Sequence, residues 1–125
     1  MTARILVVDD VEPNVRLLEA KLTLEYYEVL TAHDGATALQ IAADERPDMI
    51  LLDVMMPGMN GYEVATALKG DPATRSIPII IMTALDDRNS RVHGLTAGAE
   101  EFLTKPVNRH ELCLCVRNLL RLVDD

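Results

Sequence analysis

Met49-Ile50-Leu51-Leu52-Asp53-Val54-Met55-Met56-Pro57-Gly58 is the stretch on which the reading of this chain turns. Four apolar residues in an unbroken run, without polar alternation, mark a strand buried on both faces. The run ends abruptly on a carboxylate, and Pro57-Gly58 then punctuates a turn. Two further runs repeat the pattern. Ile5-Leu6-Val7-Val8 is followed by Asp9-Asp10, and Ile79-Ile80-Ile81-Met82 is followed by Thr83. Weaker strand candidates cover Glu28 to Ala32 and Glu101 to Thr104, the latter followed by Lys105-Pro106.

Helical patterns fill the intervals. Pro13 suits a first helical turn, with Val15, Leu18 and Leu22 at helical spacing behind it. Asp34 is the expected N-cap of a second helix through Ala38, Ile41 and Ala42. Asn60 caps a third through Val64 and Leu68, stopped by Gly70 and Asp71-Pro72. A fourth runs from Arg88 to Ala97 and ends at Gly98, a residue suited to the position after a helix. The fifth covers Asn108 to Val123. Strand and helix thus alternate five times, which predicts a doubly wound α/β fold, (βα)5, with a parallel five-stranded sheet covered on both faces. No repeat, low-complexity tract or internal linker interrupts residues 1–125, which are read as a single domain.

Composition narrows the function classes. Hydrophobic residues make up 49% of the 125, enough for a real core, and only 3% are aromatic, so the core is aliphatic and methionine-rich. Acidic side chains outnumber basic ones 20 to 12, for a formal charge of -8, which argues against direct nucleic-acid binding. No apolar run is long enough to span a membrane. Cys113 and Cys115 point about 200° apart on a helical wheel, too far round to pair, and two reduced thiols suit a cytoplasmic protein.

The chemistry-bearing residues all follow strands. In an open parallel sheet, ligands bind beyond the carboxyl ends of the strands, where the strand order reverses. With the order 2-1-3-4-5, Asp9, Asp10 and Asp53 converge at that point, with Thr83 and Lys105 beside them. Three carboxylates held together repel unless a cation joins them, and an all-oxygen set suits a hard ion such as Mg²⁺. With an ammonium and a hydroxyl added, the set can hold a phosphoryl group while one aspartate acts as nucleophile. Singly, each residue also has an ordinary reading: an Asp after a strand is often a cap, and Thr83 an ordinary strand residue. Their joint placement on one sheet edge favours the functional reading.

Val7-Val8-Asp9-Asp10, Leu51 to Gly58, Met82-Thr83-Ala84 and Leu103-Thr104-Lys105-Pro106 resemble the four signature segments of CheY-like response-regulator receiver domains, in order and with family spacing. Ala3 to Asp10, Asn14 to Leu22 and Leu51 to Met59 look particularly like the first receiver of PleD-type regulators. The resemblance implies a flavodoxin-like fold, a place in two-component phosphorelay signalling, and no turnover of a separate substrate. It implies that Asp53 accepts a phosphoryl group from a sensor histidine kinase. Asp10, Asp53 and the backbone carbonyl of Met55 would ligate Mg²⁺ (or Mn²⁺ in its place), with Asp9 acting through a water. Lys105 would contact the phosphoryl group, Thr83 would swing toward it, and Pro106 would follow a cis peptide bond. Phe102 stands where many members carry a rotating Tyr, and it lacks the hydroxyl.

Two finer expectations accompany the resemblance. Met55 and Leu85, two residues beyond Asp53 and Thr83, are apolar where polar side chains can orient the hydrolytic water, which predicts a long-lived phosphorylated state. On the last helix, Leu112, Val116, Leu119 and Val123 form an ordinary core line, while Cys113, Cys115, Leu120 and Leu122 widen it. That breadth fits a partner, either an effector or a second receiver, on the face of helix four, strand five and helix five; a partly exposed apolar flank is the plainer alternative. His33, His93 and His110 lack metal-ligand spacing and read as surface polar residues, and Gly58 to Gly61 is not a phosphate-binding glycine motif. Two rival functions stay open. One is a haloacid-dehalogenase-type phosphohydrolase, which typically carries a second Asp where this chain has Met55. The other is a phosphorylation-independent interaction module on the same fold.

Overall fold

The computed structural model of the chain describes residues 2–84 and 88–124, with side chains described as far as Arg121. The elements alternate as β1 (Arg4–Val8), α1 (Glu12–Thr23), β2 (Glu28–Ala32), α2 (Gly35–Glu45), β3 (Met49–Asp53), α3 (Gly61–Gly70), β4 (Ile79–Thr83), α4 (Arg88–Thr96), β5 (Glu101–Thr104) and α5 (Arg109–Asp124). All strand pairs are parallel, in the order β2-β1-β3-β4-β5. The order reverses between β1 and β3, where Val8 lies opposite Leu52.

Continuous apolar strands are explained by helices on both faces. Leu6, Val8, Ile50, Leu52, Ile79 and Ile81 point to one side and pack with Ala38 and Ala42 of α2 and Val64, Ala65 and Leu68 of α3. The alternate residues Ile5, Val7, Met49, Leu51, Ile80 and Met82 point to the other. There they meet Val15, Leu18 and Leu22 of α1 and Leu112 and Val116 of α5. A one-residue slip of any central strand would exchange these two sets, so each helix's apolar line fixes the register.

Helix boundaries follow local chemistry. The Asp34 carboxylate accepts from Thr37 N at 2.7 Å, and Asn60 with Glu63 forms a reciprocal capping box. Asn108 Oδ1 accepts from Glu111 N at 3.1 Å, which makes Asn108 a cap and starts α5 one residue later than the apolar pattern predicts. The first helix has no side-chain cap at Val11. Instead Asp9, two residues earlier, accepts from Val11 N at 2.9 Å, so a carboxylate at the end of β1 also steadies the start of α1. In α4 the buried residue is Gly94, so that helix lies on the sheet without an aliphatic anchor of its own. Among the described residues no helix is long and apolar enough to cross a membrane.

Candidate functional site at the carboxyl edge of the sheet

The backbone ladder continues one residue past the strands and thereby fixes the side chains beyond them. Asp9 N donates to Ala32 O at 3.2 Å, Val54 N to Met82 O at 3.2 Å and Lys105 N to Thr83 O at 2.8 Å. Asp9, Asp53, Thr83 and Lys105 are therefore held by sheet geometry. One carboxylate oxygen from each of Asp9, Asp10 and Asp53 falls within 4.8 Å of the others.

Lys105 reaches into this cluster. Its Nζ lies 2.9 Å from Asp53 Oδ1 and 3.0 Å from Asp9 Oδ2. Asp9 is fully buried and uses both oxygens, one on Lys105 and one on Val11 N. Among the described residues, three carboxylates thus face one ammonium, which leaves two negative charges uncompensated. Burial, with the negative charges of Asp9 and Asp10 added, raises the pKa of Asp53 even though Lys105 works to lower it. Burial also works against the Lys105 ammonium, but its hydrogen bonds to Asp53 and Asp9 outweigh that and raise its pKa, so it stays charged at neutral pH. A divalent cation on hard oxygen donors is what such a cluster lacks, and the residues fit one.

The other expected site residues fall around this cluster. Thr83 is fully buried at the end of β4, directly opposite Thr104 in β5. The Lys105-Pro106 peptide is cis. Met55, two residues beyond Asp53, is 65% exposed. Phe102 is turned inward and buried, with the Arg91 guanidinium carbon 5.1 Å from its ring centre. Leu85 lies outside the described residues, as do the side chains of Leu122 and Val123 on α5. On the same helix Leu112, Val116 and Cys113 are buried, while Leu119, Leu120 and Cys115 are half-buried.

Some neighbours escaped the sequence reading. His33, a surface residue without metal-ligand spacing, bonds the Glu12 carboxylate, which Arg16 also holds. His93 is exposed yet stacks on Tyr62 with ring centres 3.9 Å apart, tying α4 to α3. Beside the cluster, Leu17, Lys21, Pro106 and Val107 help line an open and mainly apolar groove of about 400 Å³. Its signal was legible: Leu17 stands off the Val15-Leu18-Leu22 line and is 57% exposed, an apolar residue with no place in the core.

Comparison with known proteins adds the lineage. Residues 5–117 match the family described as Response regulator receiver domain. The chain is 63% identical over 121 residues to the response regulator PleD of Caulobacter vibrioides, covering 97% of this chain and 27% of that protein. It is 45% identical to the response regulator MprA of Mycobacterium tuberculosis, covering 97% of this chain and 52% of that one. The chain therefore spans about a quarter to a half of these relatives. Among solved structures, chemotaxis protein CheY4 of Vibrio cholerae superimposes with a TM-score of 0.90 at 32% identity, over 95% of this chain and 99% of that one. The receiver domain of a sensor histidine kinase from Pseudomonas aeruginosa, which holds a magnesium ion in its active-site cleft, gives a TM-score of 0.89 at 32% identity, over 96% and 98% of the two chains. Fold, strand order and sequence agree: this chain belongs to the response-regulator receiver domains of two-component signal transduction.

Proposed function

We propose that Asp53 is the phosphoryl acceptor of a two-component relay and that its phosphorylation resets the face formed by α4, β5 and α5. The observation that supports this most is the Asp53–Lys105–Asp9 arrangement, a buried carboxylate held 2.9 Å from a fixed ammonium at the strand-order reversal. The Asp53 carboxylate attacks the phosphorus of a phosphohistidine. A P–O bond forms, the P–N bond breaks, and the departing imidazole takes up a proton. Lys105 balances charge that develops on the phosphoryl oxygens, and the Thr83 hydroxyl turns toward them afterwards.

Magnesium, held by Asp10, Asp53 and the Met55 carbonyl, would supply the remaining positive charge for the phosphoryl oxygens. Asp9 suits an indirect role through water, because both of its oxygens already accept hydrogen bonds. The groove lined by Leu17 and Pro106 offers apolar contact to the helix of a histidine kinase that presents the phosphohistidine. On the output side, Val92 and Leu95 of α4 are each 54% exposed and give an effector domain or a second receiver an apolar surface to grip. A phosphohydrolase reading loses ground because the residue two beyond Asp53 is an exposed thioether with no proton to exchange.

The test is incubation with Mg²⁺ and acetyl phosphate, followed by intact mass measurement beside an Asp53→Asn control. One added phosphoryl group, dependent on Mg²⁺ and absent from the variant, is the expected result. A folded, metal-binding protein that gains no mass would favour the phosphorylation-independent interaction module instead.

A further inference from the structure

We infer that Gly61 is a positioning residue for phosphoryl acceptance: it closes the Val54–Asn60 loop at the Val54 carbonyl, lies against the Asp53 backbone, and thereby sets the turn that presents the Met55 carbonyl. The inference rests on the reading of Asp53 as acceptor. It concerns a residue that touches neither metal nor phosphate.

Three observations carry it. First, Met56 N donates to Val54 O at 3.1 Å, closing a three-residue turn centred on Met55. That turn uses the carbonyl of Val54 and not that of Met55. Second, Gly61 N donates to the same Val54 oxygen at 3.0 Å, so the first residue of α3 and the turn share one acceptor. Third, a Cβ built on Gly61 would collide with the Asp53 carbonyl oxygen and sit 2.9 Å from Val54 Cα and 3.0 Å from Asp53 C. The obstacle is backbone of the acceptor itself, with no side chain able to swing aside. Adding a single methyl therefore forces Asp53, the turn or the start of α3 to move. Val64, Ala65 and Leu68 are buried against the sheet and resist movement of α3, so the displacement falls on the turn and on Asp53.

Gly98 provides an internal control. A Cβ there would meet Lys69 Cγ at 2.6 Å, a side-chain atom at the edge where the strands begin, and its φ is +104°. Gly98→Ala should lower the melting temperature through that clash and backbone strain without changing the carboxylate cluster. Gly61→Ala should lower it as well. Gly61→Ala alone should also weaken Mn²⁺ binding, followed by electron paramagnetic resonance on the folded protein, by roughly ten-fold, the scale seen when the support of a metal ligand is removed. Its rate of phosphorylation by acetyl phosphate should fall in parallel.

Equal Mn²⁺ affinity in the two variants would overturn the inference while leaving the acceptor reading intact. A wild-type chain that takes up neither Mn²⁺ nor phosphoryl would instead overturn the acceptor reading. A second measurement needs no variant and stands even if Gly61→Ala does not fold. The chain has 6 glycines, so ¹⁵N-glycine labelling gives a short list of amide signals. Titration with Mg²⁺ should move the Gly61 amide with the same midpoint as metal binding and leave Gly70 and Gly98 in place. A Gly61 signal that ignores Mg²⁺ would contradict this positioning role.

Discussion

At the edge where the strands begin, Lys69 Nζ is shared among Arg75 O at 3.1 Å, Ile77 O at 2.9 Å and Glu100 Oε2 at 2.8 Å. The second oxygen of Glu100 accepts from Ile79 N at 2.8 Å. Arg4 N donates to Asp48 Oδ2 at 2.7 Å, and the Arg4 guanidinium reaches Glu45 O at 2.8 Å. Every charge in this group has an opposite charge, a carbonyl or a backbone N–H to meet. At the edge where the strands end, three carboxylates cluster around one ammonium, the pKa of Asp53 is raised by burial, and the buried Thr104 hydroxyl has no partner among the described residues. One sheet thus carries a satisfied edge and an unsatisfied one. The first holds loops in place, and the second keeps a demand for positive charge that a divalent cation can answer.

Removing the lysine from each edge should therefore do different things. Lys105→Met is expected to cut the rate of phosphorylation by acetyl phosphate by about a hundred-fold, the scale of losing one fixed donor to developing charge. Timed intact mass spectra check it, and a wild-type rate would break the comparison. Lys69→Met should reverse the pattern. It should lose roughly 2 kcal/mol of stability in urea unfolding, because carbonyls and a carboxylate lose their shared donor. Its folded fraction should still phosphorylate at the wild-type rate. If Lys69→Met slowed phosphorylation as much as Lys105→Met, the two edges would not be independent.

A smaller effect sharpens the contrast through pH. The backbone N–H of Thr37 holds the Asp34 carboxyl below its ordinary pKa. A carboxylate lowered in the folded state stabilises above its unfolded pKa and loses that contribution as pH falls through the folded value. Asp53 has the opposite sign: its raised pKa burdens the fold at neutral pH, and protonation relieves that burden. Asp34→Ala should then flatten the acid side of the stability profile, whereas Asp53→Asn should raise metal-free stability at neutral pH. Urea midpoints measured across the acid range for the three proteins check both signs.

The fold was legible because each central strand is buried on both faces and so spells an unbroken apolar run, as in Met49 to Leu52. The weaker strands, Glu28 to Ala32 and Glu101 to Thr104, lie at the sheet's outer positions and needed the alternation of elements to be recognised. The placement of Asp9, Asp53, Thr83 and Lys105 on one edge was legible for the same reason, since each stands immediately at or after a strand end. Gly61 was not. Its approach to Asp53 depends on how the loop returns in space, and in sequence it is only another glycine near Pro57-Gly58. The Tyr62–His93 stack was equally hidden, because it joins two helices 31 positions apart with no periodicity to announce it.

The carboxyl edge, with three carboxylates around one ammonium among the described residues, lacks positive charge that a divalent cation would supply. Thermal melting of the wild-type chain and Asp53→Asn, each with rising Mg²⁺ and with NaCl at matched ionic strength, tests it most directly. Binding to the folded state alone must raise the melting temperature with ligand concentration. The prediction is a Tm that climbs with Mg²⁺ and not with NaCl in the wild type, from a lower metal-free starting point than the variant, and climbs much less in Asp53→Asn. Identical curves for the two proteins, or a wild-type Tm indifferent to Mg²⁺, would contradict it.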